Sequence, residues 1–234
     1  MAKHFAVHSG PESLRHHFDV HPSKKDLFET YLPAFEALVT QANVAGVMCA
    51  YNGVYGEPSC ASQYLLTDIL KKKWQFDGYV VSDCGALHDF QSGHKVTQNG
   101  VESAALALRA GVNLNCGFTY EKSLKAAFEQ GLVAQSLIDQ RLTNLLMIRF
   151  RLGLFDPSEL NPHNAINQEV IHSAEHIGLA RKVAAKSIVL LKNDKRVLPL
   201  SKDIKVPYVT GPFAASSDML IGSYYGISDS LVTV

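Results

Sequence analysis

The chain of 234 residues balances 22 Lys and Arg against 22 Asp and Glu, so it lacks the basic excess of a nucleic-acid binder. A hydrophobic fraction of 47% with 19% charged residues belongs to a globular chain with a substantial core, and apolar runs such as Gly46 to Ala50 are too short to cross a bilayer. Neither a C-x-x-C pair nor H-E-x-x-H occurs, and the cluster His16, His17 and His21 reads as a solvated loop, so no metal and no cofactor is expected.

In chain order, "AKHFA" (2–6) predicts a strand, and 24–42 predicts a helix with Leu27, Tyr31, Phe35 and Leu38 on one stripe. "GVMCA" (46–50) predicts a second strand, followed by a helix over 62–73 with Ser62 as its N-cap. Then come a strand at 78–82, a helix at 99–109, a strand at 111–115 and a helix at 120–130. Helical spacing returns over 136–151 through Leu137, Arg141, Leu145 and Ile148, ending at Gly153. Alternation of this kind signals a parallel α/β sheet with right-handed crossovers.

"FDPSELNPHN" (155–164) is rich in Pro and Asn and has no apolar period, so it reads as a linker. Beyond it a helix is expected over 167–186, then strands in "SIVLLKN" and "IKVPYVTG", the opening of a second α/β domain. Only four βα units are visible before the linker, whereas a closed barrel needs eight. The chain therefore reads as a fragment or a shortened product: 1–154 as part of a (β/α)8 TIM-type barrel, 155–166 as linker, and 167–234 as a linking helix with the incomplete start of a second α/β domain. No secretion signal stands at its start, and the compartment is left open.

Chemistry in parallel sheets sits where strands end. The first strand exits near Lys3, His4, His8 and Glu12, the second past Met48 to Tyr51 and Asn52, the third at Asp83, and the fourth at Asn115 and Cys116. A carboxylate ringed by Lys, His, Tyr and Asn suits a polyhydroxylated ligand. Asp83 alone could also be a turn starter, since its side chain can bond the next amides. Among cysteines, Cys49 and Cys60 bracket one strand-exit loop, while Cys84 and Cys116 lie past adjacent strands. Each pair is expected within disulfide reach in an oxidising compartment, with buried free thiols as the alternative.

The ordered segments "AKHFAVHSGPE", "VMCAYNGVYGEPSCAS", "FDGYVVSDCGA" and "LGLFDP", followed by "KSIVLLKND" and "LPL", resemble glycoside hydrolase family 3, in its β-xylosidase and β-glucosidase branch. The resemblance implies the second half of that family's barrel and the first part of its α/β sandwich. It implies that Asp83 is the catalytic nucleophile and that Lys3, His4, Met48 and Tyr51 line the sugar subsite. It also implies that Glu12 and Arg15 touch the aglycone side or the sugar. The acid/base residue would come from beyond Val234. Many β-glucosidases of the family carry Trp after the aspartate; Cys84 stands there in this chain and points to the xylosidase branch, while the closing "GSYYG" also occurs in glucosidases. The implied activity is a retaining exo-β-glycosidase acting on a small oligosaccharide or aryl glycoside through a covalent glycosyl-aspartate. The alternative is an inactive truncated product with at most weak sugar binding. A Schiff-base barrel enzyme would have Lys3 as its one well-placed lysine.

Overall fold

A computed structural model of the protein describes residues 1–221 and 231. The chain divides into two compact units, Met1–Ala165 and Ile166–Val234. The "GSYYG" segment lies outside the described residues.

Strand β1 is Ala2–Phe5, β2 Asp19–Val20, β3 Gly46–Cys49, β4 Gly53–Val54, β5 Glu57–Pro58 and β6 Tyr79–Ser82. The main sheet runs β1-β3-β6, all parallel, in the register Val47↔Val80 and Cys49↔Ser82. Small and β-branched residues dominate β3 and β6, whose faces are both to be covered. One face packs against helices: Phe5, Val47 and Val80 have no exposed surface and join a core with Leu27, Leu32, Leu65, Leu70 and Trp74. Phe5 meets Phe35 edge-on, ring centroids 5.1 Å apart. Met48 and Val81, paired in register, take the opposite face. Three parallel strands with helices layered on one side are part of a (β/α)8 TIM-type barrel.

The helix expected over 24–42 forms in three pieces: α1 (Lys24–Asp26), a π-helical stretch Leu27–Tyr31, and α2 (Pro33–Thr40). Pro33 lacks an amide hydrogen, so the α ladder cannot run through it, and Leu32 instead donates to the Leu27 carbonyl five residues back. Ser62 caps as expected, its hydroxyl accepting the Leu65 amide at 3.2 Å, but the helix it opens, Tyr64–Lys73, is π-helical. Next come α3 (Asp89–Ser92), α4 (Gly100–Ala110), α5 (Thr119–Glu129) and α6 (Gln135–Arg151). The side chain of Asn99 caps α4 by accepting the Glu102 amide at 3.0 Å.

The fourth expected strand, 111–115, is reduced to a single parallel bridge, Val81↔Leu114. Its ladder fails because the Asn113 side chain takes the Val80 amide at 2.8 Å, the place a strand carbonyl would fill. A small second sheet was not expected. There β4 and β5 form a hairpin through Tyr55 and Gly56, both at positive φ, and β2 joins β4 in parallel. The Asp19 carboxylate accepts the Gly56 amide at 2.9 Å and ties the three together.

In the second unit, α7 spans Ala174–Ser187, with Ser173 as its cap. The helix was expected from 167; residues 168–170 instead form a 3-10 turn capped by Asn167. Among the described residues, neither expected strand of this unit forms. A strand needs a hydrogen-bonded neighbour, and "SIVLLKN" finds none there; Ile188 is 78% and Leu191 92% exposed. No helix among the described residues is long and apolar enough to cross a membrane.

Candidate active site

The ends of β1, β3 and β6 converge on Asp83. Its amide donates to the Cys49 carbonyl at 3.1 Å, which extends the β3–β6 ladder by one step and fixes the residue at the strand exit. The residue is only 4% exposed. One carboxylate oxygen, Oδ1, accepts the Cys84 amide at 2.8 Å, and the other, Oδ2, lies 3.3 Å from His4 Nε2.

His4 is half-buried, and its pKa lies below the usual histidine value. Burial is the main cause; Asp83 opposes it, while Lys3, His8 and Arg15 reinforce it by repelling a second positive charge. The neutral imidazole is therefore favoured in the folded protein. Because the folded pKa is depressed, the contribution to stability is whole above the unfolded value of about 6.5 and is lost as pH falls through the lower folded value. We expect the unfolding midpoint to drop across that acidic window and the drop to shrink in His4→Gln, as measured by denaturation at stepped pH. An identical pH slope in both proteins would refute the assignment.

Tyr51 donates its hydroxyl to the Cys84 carbonyl at 2.7 Å. Its phenol is pushed up to about 12, first by burial and then by the neighbouring Asp83 charge, so it remains a donor at all physiological pH. His16 meets its ring edge-on at 4.5 Å, and His94 Nε2 lies 2.8 Å from its carbonyl oxygen. Arg15 holds its guanidinium 5.9 Å from the same ring and pairs with Glu12. Asn52 is fully buried: its Nδ2 donates to the carbonyls of Ala6 and Gly53, and its Oδ1 meets His8 Nδ1 at 3.0 Å. One side-chain amide thus fastens β1 to the β3 exit loop.

Of the candidate residues, His4, Tyr51 and Asp83 come together directly, and Arg15 brings Glu12 to the edge of the group. Lys3 is exposed on β1, next to His4. Met48 is half-buried on β3 opposite Val81, two residues before Asp83. Sequence reasoning missed Asp89 and His94. It also read His16 as plain loop, whereas His16 Nδ1 lies 2.7 Å from Asp89 Oδ2, a partner 73 residues away with a nearly buried carboxylate. Nothing in linear spacing signals that pair.

Both expected cysteine pairs are closed disulfides. Cys49–Cys60 joins the β3 exit to a 3-10 turn, and Cys84–Cys116 joins the residue after Asp83 to the fourth exit. Ser82 supports the second bridge, its hydroxyl accepting the Cys116 amide and the Asn115 side-chain amide, each at 3.0 Å. No group of three or more His, Cys, Asp or Glu among the described residues could hold a metal ion. The arrangement can offer an oriented carboxylate, a neutral imidazole and a phenol to a ligand at the strand ends.

The solved structure of an exo-β-xylosidase, in complex with a xylobiose aziridine probe, superposes with a TM-score of 0.88 at 36% identity, covering 99% of this chain and 31% of that one. A β-glucosidase from Listeria innocua in complex with glucose gives 0.80 at 34% identity, covering 95% and 30%. A probable exo-1,4-beta-xylosidase of Aspergillus clavatus is 41% identical over 230 residues, and a xylan 1,4-beta-xylosidase of Xylanibacter ruminicola is 40% identical over 235. This chain spans 30% and 27% of those two proteins, respectively. Residues 1–148 match the family described as Glycosyl hydrolase family 3 N terminal domain. By that match, which takes in every strand of the Asp83 sheet, the chain belongs to glycosyl hydrolase family 3.

Proposed function

We propose that these residues carry the nucleophile half of a retaining exo-β-glycosidase that removes terminal xylose from β-linked oligosaccharides. The observation that carries the proposal is the buried Asp83 carboxylate at the end of β6, oriented by the Cys84 amide and faced by His4. In the reaction, Asp83 attacks the anomeric carbon, the glycosidic bond to the leaving oxygen breaks, and a covalent glycosyl-aspartate forms that water later hydrolyses. Lys3, His4, Met48 and Tyr51 bind the sugar under attack, and Glu12 and Arg15 border it. We assign residues 1–154 to the second half of the barrel, 155–166 to a linker and 167–234 to the start of a sandwich domain. The proton donor to the leaving oxygen comes from outside these residues. The names of the relatives and Cys84 after the nucleophile favour xylose over glucose. Incubation of the whole protein with a 2-fluoro β-xyloside should leave a stable adduct on the peptide bearing Asp83. An adduct on any other carboxylate defeats the assignment.

The second reading, a truncated product without activity, is favoured by exposed apolar residues on the open side of the first unit, Leu114 at 44% and Leu142 at 48%. Among the described residues, β1 is also the edge strand of its sheet, and edge strands tend to recruit another chain. General acid assistance alone contributes about 10²–10⁴-fold to such a reaction. The 234 residues produced alone are therefore expected to self-associate and to hydrolyse aryl β-xylosides negligibly. Light scattering after size exclusion and a chromogenic assay check this; a monodisperse monomer with full turnover would contradict it.

A further inference from the structure

Tyr51 is gripped by the segment that follows β6. Its hydroxyl donates to the Cys84 carbonyl at 2.7 Å, and its own carbonyl oxygen lies 2.8 Å from His94 Nε2. A further hold falls on the ring and is indirect. His16 meets the ring edge-on, centroids 4.5 Å apart, and Asp89 fixes His16 through the 2.7 Å contact to Nδ1. Cys84, Asp89 and His94 all stand in the loop and short helix after the strand that presents Asp83.

The pair formed by His16 and Asp89 differs from an ordinary surface ion pair. The Asp89 side chain is 10% exposed, against 53% for His16. A carboxylate so far from water costs free energy unless it is hydrogen-bonded, and Ser92 Oγ, its other side-chain neighbour, stands at 3.5 Å, the limit of such a bond. His16 is therefore the partner that satisfies Asp89, and the contact sets the direction of the imidazole. The backbones close up as well: a Cβ on Gly93 would collide with the His16 carbonyl oxygen. The loop after β1 is thus docked on the loop after β6 by both backbone and side chain. Arg15 approaches the same Tyr51 ring from 5.9 Å, yet its partner, Glu12, belongs to its own exposed loop.

We infer that His16 is a positioning residue: tethered to Asp89, it fixes the Tyr51 ring so that the hydroxyl stays on the Cys84 carbonyl, and Cys84 in turn keeps its amide on Asp83 Oδ1. The inference rests on the glycosidase reading above. In this role the imidazole works through Tyr51 and takes part in no proton transfer to the substrate.

The test is a double-mutant cycle in the whole protein, read as kcat/KM on an aryl β-xyloside. His16→Ala is expected to lower kcat/KM by roughly 3- to 10-fold, the size of one edge-on aromatic contact. In the Tyr51→Phe background the hydroxyl that His16 keeps in place is already gone, and the same change is expected to cost less than about 2-fold. His16→Phe, which keeps a ring and gives up the bond to Asp89, runs the cycle a second time, so that the result does not hang on one variant folding. It is expected to show a smaller loss with the same dependence on the Tyr51 hydroxyl. Equal fold losses in both backgrounds, as plain loss of packing would give, or a loss in neither, overturn the positioning role while the glycosidase reading stands. Failure of the unsubstituted protein to hydrolyse aryl β-xylosides overturns both.

Discussion

Asp83→Ala is expected to reduce turnover of a β-xyloside by about 10⁴–10⁶-fold, as removal of an attacking group does in other covalent mechanisms. The loss should fall on the rate constant and not on folding. The alanine removes only a carboxylate whose partners are the Cys84 amide and the His4 ring, while the backbone bond to Cys49 remains. Azide added to this variant should restore part of the rate and yield a glycosyl azide of inverted configuration, because the small anion enters where the carboxylate stood. Near-normal turnover by a variant with the native circular dichroism spectrum would remove Asp83 from the role of nucleophile.

The second large effect concerns the Cys84–Cys116 bridge. It closes a loop of sequence separation 32, against 11 for Cys49–Cys60. In the chain-entropy account, opening it costs about 3–4 kcal/mol, somewhat more than opening the shorter loop. The double substitution Cys84→Ser with Cys116→Ser should therefore shift the denaturant midpoint further than Cys49→Ser with Cys60→Ser. It should also lower activity, since Cys84 supplies both the amide that orients Asp83 and the carbonyl that receives Tyr51. The decisive measurement pairs the unfolding curve with kcat for each double variant. Unchanged midpoints in both would mean that the thiols are free in solution.

Of the three strands that carry the site, β3 and β6 were legible as short apolar runs that stop at polar residues, and β1 from its place in the alternation of strands with helices. The cysteine pairs were legible for a related reason: Cys84 and Cys116 follow strand exits that a parallel sheet brings side by side, and Cys49 and Cys60 bracket one strand-exit loop. Asp83 was visible only as a candidate, since a carboxylate after a strand is also ordinary turn chemistry; it is the resemblance to the ordered family motifs that makes it the expected nucleophile. What was hidden depended on distant side chains. The His16–Asp89 pair spans 73 residues, and the Asn113 side chain displaces a ladder that its own backbone composition favours. The π-helical stretches follow from Pro33 and from packing that period alone does not encode. The strands expected in the second unit have the right composition but no neighbour to pair with among the described residues.

That same replacement at Asn113 grades the sheet in protection from solvent deuterium. Strand β3 is flanked by β1 and β6 and has every residue in register with β6, so its amides open only with the whole unit. On the far side of β6 the Val80 amide is held by a side chain and the Ser82 amide by the Leu114 carbonyl, anchored by one bridge. Those two amides are expected to exchange through local opening, at rates set by the rotamer of Asn113 and the integrity of the Cys84–Cys116 bridge, as amide hydrogen exchange would measure. Ser82, the residue before Asp83, thus depends on that single bridge for the protection of its amide.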